Sequence, residues 1–186
     1  MGKVIAGMTM SVDGFVHDAQ GSMAELYPDL EALRDTELME ESIRITGAVV
    51  MGRRTFEMGD PDLYADHYEY QVPIFVLTHH PPAKHPREAG NLTITFVEDG
   101  VVSAIQKVKM AAGEKDVVVV GGVSTIQQCL NARLVDELQV GIMPVLFASG
   151  LRYFDLMPGK KILLEKSRVI ETDQRTDLIF SLSYQS

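Results

Sequence analysis

The chain has 186 residues, 46% of them hydrophobic and 23% charged, with a formal net charge of −9. That length suits one domain, 1–186, able to bury roughly 70% of its unfolded surface in a single core, and the mix of apolar and charged residues excludes a disordered polymer. No apolar run approaches the ~20 residues of a membrane-spanning helix, the stretch after Lys3 is too short for a secretory signal, and the acid surplus argues against a nucleic-acid backbone, which needs clustered Lys and Arg; the expectation is a cytoplasmic protein with neither membrane nor nucleic acid as partner.

In chain order, residues 3–12 are β-prone and mostly apolar, as a strand buried on both faces would be, and stop at Asp13-Gly14. Residues 28–46 are strong helix formers, with Leu30, Leu33, Leu38 and Ile45 as inward positions and Gly47 as the stop. A short buried strand over 48–51 turns through Gly52-Arg53-Arg54-Thr55 into another helix, and 58–70, rich in Asp and Tyr, reads as a loop. Strands are expected over 74–78 and 92–97, the second alternating Leu92, Ile94 and Phe96 against Thr93 and Thr95. Asp99 is placed to cap a helix whose stripe is Val101, Ile105, Val108 and Ala112 and whose C-terminal residue is Gly113. An apolar strand, 117–120, runs into Gly121-Gly122, then a helix over 124–132, a strand over 135–143 and two closing strands near 162–170 and 176–184.

Strand and helix alternate through the first two thirds, and two strands close the chain across about five residues. The predicted fold is α/β: a mixed, mostly parallel central sheet, helices on both faces and an antiparallel C-terminal hairpin. With one cysteine there is no internal disulfide and no multi-cysteine metal site, and Cys129 falls in register with Val123, Ile126 and Leu130 as a core residue. His79, His80 and His85 lie in a proline-rich loop without an acidic ligand, so no metal is expected.

In an open α/β sheet, ligands bind beyond the carboxyl ends of the strands. Those ends carry Ser11-Val12-Asp13-Gly14, Gly52-Arg53-Arg54-Thr55, Leu77-Thr78-His79 and Gly121-Gly122-Val123-Ser124-Thr125. Gly52 permits close backbone approach, Arg53 and Arg54 add fixed positive charge and Thr55 adds a hydroxyl, although two arginines after a strand also read as solvated surface. Gly121-Gly122 followed by Ser124 and Thr125 repeats the pattern of tight turn, free amides and hydroxyls. Neither Gly-x-Gly-x-x-Gly nor Gly-x-x-x-x-Gly-Lys-Ser/Thr is present. Two such turns suit a ligand with two separated phosphate groups, and the arginine pair suits a dinucleotide with an extra ribose phosphate, whose oxygens match a guanidinium fork. Asp13 is a candidate substrate contact or an ordinary Asp-Gly turn, and Arg152 either reaches the rim or pairs with Asp155.

Residues 8–14, 49–57 (Val-Val-Met-Gly-Arg-Arg-Thr-Phe-Glu), 73–82, 119–122, 134–138 (Leu-Val-Asp-Glu-Leu) and 144–146 (Pro-Val-Leu), taken in order, resemble the dihydrofolate reductase superfamily. The likeness is to the branch that includes the C-terminal reductase domain of bacterial riboflavin biosynthesis, and it covers nearly the whole chain. It implies an NADPH-dependent reductase acting on a small unsaturated heterocycle, commonly a homodimer. It would place the ribose phosphate on Arg53 and Arg54, the adenosine end beside Leu77, Thr78 and His79, and the bridging phosphates between Gly52 with Thr55 and Gly122 with Val123, Ser124 and Thr125. Backbone groups near Thr9 and Val16 would face the nicotinamide amide, and a cis peptide would join Gly121 to Gly122.

The pattern departs at the substrate. A pterin-binding carboxylate on the first long helix would fall near Thr36, flanked by Asp35 and Glu37, which become the candidate proton donors, with water as the alternative. Riboflavin-pathway reductases handle a ribosyl or ribityl phosphate, which calls for basic residues. Residues 25–41 hold Glu25, Asp29, Glu31, Asp35, Glu37, Glu40 and Glu41 against Arg34 alone. That argues against a phosphorylated substrate, while the same acids also read as a solvated helix face. Two rivals stay open: an NADP(H)-binding regulatory domain without turnover, and a nucleotide module unrelated to hydride transfer.

Overall fold

The computed structural model describes residues 2–28, 30–155, 157 and 161–184, with the side chains of Leu30 and Glu31 excepted. Asp29 and the inward position expected for Leu30 therefore lie outside the described residues. The chain runs β1 (Val4–Ser11), β2 (Phe15–His17), α1 (Leu30–Arg34), α2 (Glu37–Ile45), β3 (Thr46–Gly52), α3 (Arg53–Phe56), α4 (Tyr64–His67), β4 (Ile74–Leu77) and β5 (Ile94–Val97). It continues with α5 (Val101–Ala112), β6 (Asp116–Gly121), α6 (Val123–Asn131), β7 (Glu137–Met143), β8 (Leu151–Arg152), β9 (Leu163–Glu171) and β10 (Thr176–Ser183).

Eight strands form one sheet in the order β5-β4-β3-β6-β1-β7-β10-β9, and β2 pairs with β8 apart from it. From β5 through β7 every pairing is parallel; β10 is antiparallel to both β7 and β9. The fold is the expected mixed, mostly parallel α/β sheet closed by an antiparallel hairpin. Alternation within the central strands supplies two cores. Val4, Ala6, Ala48, Val50, Val117 and Val119 face α5 and α6, packing on Ala104, Val108, Ile126 and Cys129. Ile5, Val49, Met51, Ile74, Val76 and Val118 face the other way, onto Phe56, Tyr70 and Leu92, with Met39 and Tyr64 against them. Burial pushes the Cys129 thiol up to about 12, so it is an inert core group.

Four expectations are corrected. The helix over 28–46 is broken in two, because Thr36 is extended and caps α2 with its side chain, accepting from the Met39 amide at 3.3 Å. Gly47 does not stop that helix but lies in β3, where a Cβ would come within 2.7 Å of the Ala112 carbonyl. Residues 58–70 are not a plain loop: a 3-10 turn (Pro61–Leu63) and α4 fold there, and Tyr64 stacks on Phe56 with centroids 4.9 Å apart. Asp99 does not cap the α5 backbone; Gly100 is the N-cap, and the Asp99 carboxylate instead accepts from Ser103 and Lys107.

Two surface features bear on the site. No described side chain of α2 is buried, and Arg168 of β9 reaches across to it, 2.8 Å from Glu41 and 3.4 Å from Glu37. On the outer strand β9, Leu163, Leu164 and Val169 are exposed. Among the described residues, no helix is long and apolar enough to cross a membrane.

Candidate active site

The carboxyl ends of β4, β3, β6 and β1 lie side by side, at Leu77, Gly52, Gly121 and Ser11. Here the two glycine turns meet. A Cβ on Gly52 would sit 2.6 Å from Thr125 Oγ1, and one on Gly122 would sit 3.2 Å from Thr55 Oγ1. Each turn is therefore roofed by the hydroxyl of the opposite segment. Gly121 has φ 139, which favours glycine, and its peptide with Gly122 is cis. At the start of the nine-residue α6, Gly122 is the N-cap without a side-chain cap, so the amides of Val123, Ser124 and Thr125 have no intrahelical acceptor and the helix presents its positive end. The Val123 side chain is buried in the core, Thr125 is buried, and exposed Ser124 accepts from Gln128 Nε2 at 3.2 Å.

Arg53 and Arg54 are exposed at the same edge. Arg53 Nε lies 2.8 Å from Glu57 in a solvent-exposed pair, and among the described residues no carboxylate is within ion-pair distance of Arg54. Beside them a cavity of about 160 Å³ is bordered by Arg53, Phe56, Thr78, His80, His85 and Phe96, with Lys84 at its edge. Thr78 is buried and accepts from the His80 amide at 3.0 Å, while His79 is exposed and does not line the cavity. Both ring nitrogens of His85 point at backbone carbonyls, of Pro86 and Ile94, which commits that ring locally. Amide cradles that a Cβ would fill, two threonine hydroxyls and two exposed guanidinium groups fit a ligand with separated phosphates.

Asp13 is engaged in the fold. Its carboxylate accepts from Ser11 Oγ at 2.6 Å and from the amides of Ala148 at 2.8 Å and Phe147 at 3.1 Å, clamping the loop after β7 to the end of β1. The Ser11 bond, ahead of the two amides, holds its pKa below the ordinary carboxylate value. Stability from such a group is present above the unfolded pKa and lost as pH falls through the folded one. Asp13→Asn is therefore expected to lower the unfolding temperature at neutral pH, and the gap from wild type is expected to narrow in melts carried out below about pH 4. Arg152 resolves as a structural group: it donates to the Asp13 carbonyl at 3.2 Å, lies 4.4 Å over the Phe15 ring and is 4.0 Å from Asp155. Val16 is buried in β2.

A larger cavity, about 310 Å³, opens on the second face of the sheet. Ile5, Met8, Val118 and Val120 form its apolar floor, Leu33, Thr36, Leu38 and Met39 its helical wall, and Tyr68, Tyr70, Thr9 and Gln139 supply polar groups. Leu33 and Leu38, expected as core, thus line open space. Asp35 and Glu37, the expected proton donors, are exposed and do not line it; Glu37 is 85% exposed and turned to Arg168. The buried carboxylate here is one that sequence patterning missed: Asp177 of β10, 2.9 Å from Arg175, whose Nη1 donates to Thr9 Oγ1 at 3.2 Å. Burial pushes the Asp177 pKa up, and Arg175 only partly opposes this. Its signal was an Arg-x-Asp opening a strand whose next residue of the same parity is the buried Ile179. The Tyr68 hydroxyl is buried with no hydrogen-bond partner among the described residues, and burial raises its pKa well above the ordinary phenol value.

The chain matches the family "RibD C-terminal domain" over residues 2–177. It belongs to that family. Among curated relatives it is 24% identical to the uncharacterized protein YyaP of Bacillus subtilis over 164 residues, 82% of this chain and 80% of that one. Among solved structures, a provisional riboflavin biosynthesis protein from Shewanella sp. PV-4 superposes with a TM-score of 0.79 at 21% identity, covering 97% of this chain and 99% of the other. Riboflavin Biosynthesis Reductase Rib7 of Saccharomyces cerevisiae follows at 0.63 and 15%, covering 98% and 90%. The Thermotoga maritima diaminohydroxyphosphoribosylaminopyrimidine deaminase/5-amino-6-(5-phosphoribosylamino)uracil reductase matches at 0.67 and 17%, covering 97% of this RibD-family chain and 56% of its own. At these identities the structural likenesses establish the fold.

Proposed function

We propose that this RibD-family chain is an NADPH-dependent reductase that passes hydride to a small unsaturated heterocycle of the pterin or pyrimidine class. The observation that carries this reading is the pair of facing glycine turns at the sheet edge, joined to the larger cavity by Met8, whose methyl lies 3.1 Å from where a Gly121 Cβ would be. Arg53 and Arg54 bind the extra ribose phosphate, with Leu77, Thr78 and His79 at the adenosine end. Gly52 and Thr55 on one side, and Gly122 to Thr125 on the other, take the bridging phosphates. Backbone groups at Thr9 and Val16 position the nicotinamide amide. NADPH, when bound, supplies the hydride. The protein's part is alignment and exclusion of water by the apolar floor. Because Asp35 and Glu37 stand outside the cavity, the proton is assigned to water or to a cavity group. Two of the structural relatives are named as reductases, which supports the reading.

The test is NADPH oxidation, followed by its absorbance, with a panel of pterins, pyrimidines and quinones. Turnover with one ring class is the expected result; tight NADPH binding with no turnover across the panel would favour a binding domain instead. We also propose a homodimer, with exposed Leu163, Leu164 and Val169 of β9 at the contact. Light scattering is expected to give twice the 20.6 kDa chain mass, and Leu164→Glu to halve it.

A further inference from the structure

The larger cavity has an unusual charge balance. Among its described lining residues the cations are Arg34 and Arg175, and each already has a carboxylate partner: Glu69 at 2.5 Å and Asp177 at 2.9 Å. The Arg175–Asp177 pair is the deeper one, its side chains only 13% and 7% exposed. Elsewhere the lining is uncharged: apolar side chains, hydroxyl groups and the Gln139 amide. The wall offers no anion site either, since the first turn of α2 carries Glu37 and Glu40. A phosphate brought into this space would meet guanidinium groups already neutralised, and it would be desolvated without a compensating charge.

The same pair offers something to a neutral ring. Arg175 spends Nε on Asp177 Oδ2 and Nη1 on Thr9 Oγ1, so Asp177 Oδ1 and Arg175 Nη2 are outside both bonds. Asp177 Oδ1 lies 3.1 Å from the point where a Cβ on cavity-lining Gly141 would sit, so the absence of a side chain there keeps the carboxylate accessible. A carboxylate oxygen beside a guanidinium N–H is complementary to a cyclic amide, whose ring N–H donates to the first and whose carbonyl accepts from the second.

We infer that the Arg175–Asp177 pair determines acceptor specificity, admitting uncharged rings with an amide edge and excluding phosphorylated ones. The inference rests on the reductase reading for its acceptor role, but the charge filter belongs to the protein without cofactor. It separates this chain from the Thermotoga maritima relative, which is named for a phosphoribosylamino substrate.

The experiment compares uridine with uridine 5′-monophosphate, probes that differ by one phosphate, by calorimetry on the cofactor-free protein. Amide NMR shifts at Thr9 and Gly141 locate the binding. Wild type is expected to bind uridine at least tenfold more tightly than the monophosphate. In the near-isosteric Asp177→Asn, Arg175 is left uncompensated and that preference is expected to vanish or invert. Equal or tighter binding of the monophosphate by wild type, an unchanged preference in Asp177→Asn, or no uridine binding at millimolar concentration would each overturn the inference. NADPH titration of both proteins separates this from the reductase reading: absence of NADPH binding would sink that reading while the uridine preference stood.

Discussion

Replacing Arg53 and Arg54 together with alanine is expected to weaken NADPH binding by about 100-fold or more while leaving NADH within about threefold. Each lost charge-assisted contact to the ribose phosphate is worth roughly 1.5–3 kcal/mol, and every ~1.4 kcal/mol is a factor of ten. The fold will not register the change. Arg53 gives up only an exposed pair with Glu57, a class of interaction that contributes about 0–1 kcal/mol, and Arg54 has no carboxylate partner among the described residues. Fluorescence titration of both coenzymes, beside thermal melts, checks the two halves. An equal loss for NADH and NADPH would remove the arginines from the ribose phosphate, and no loss for either would remove them from the site.

The second large effect is expected at Gly52. An alanine methyl there would sit 2.6 Å from Thr125 Oγ1, on a strand end held in register with β4 and β6. Such overpacking typically costs about 1–3 kcal/mol, a fall of roughly 2–4 °C per kcal/mol for a chain of this size. Because the methyl would also fill the proposed phosphate cradle, coenzyme affinity is expected to collapse beyond what the lost stability explains. The double variant Gly52→Ala with Thr125→Ala distinguishes the two causes. Removing the opposing hydroxyl is expected to restore most of the melting temperature, a non-additive pair, and none of the coenzyme binding. Recovery of both would mean that Gly52 serves packing alone.

The strand-to-helix turn that carries these residues was legible in the linear sequence because it is local: a strand, a glycine turn and the following residues lie within a few positions. So were β1, β3, β4, β6 and α5, whose apolar runs or stripes are long enough to declare their period. The break between α1 and α2 was hidden because Thr36 sits among strong helix formers, and a capping threonine looks the same as a tolerated one until the chain bends. The aromatic packing of Phe56, Tyr64 and Tyr68 was masked by the aspartates between them. The larger cavity was the least legible part. Residues as far apart in the chain as Ile5, Leu33, Tyr68, Val118, Gln139 and Asp177 meet there, and pairings across such separations leave no local motif. Among the described residues, a carboxylate from the last strand, Asp177, lines the cavity and none from the first helix does.

The grip of Arg168 on Glu37 and Glu41 ties α2, the helix that supplies part of that cavity's wall and has no described buried side chain, to the outermost strand. Exposed ion pairs weaken as mobile ions shorten the screening distance to about 3 Å at 1 M. High salt is therefore expected to loosen the helical wall of the chamber while sparing its apolar floor.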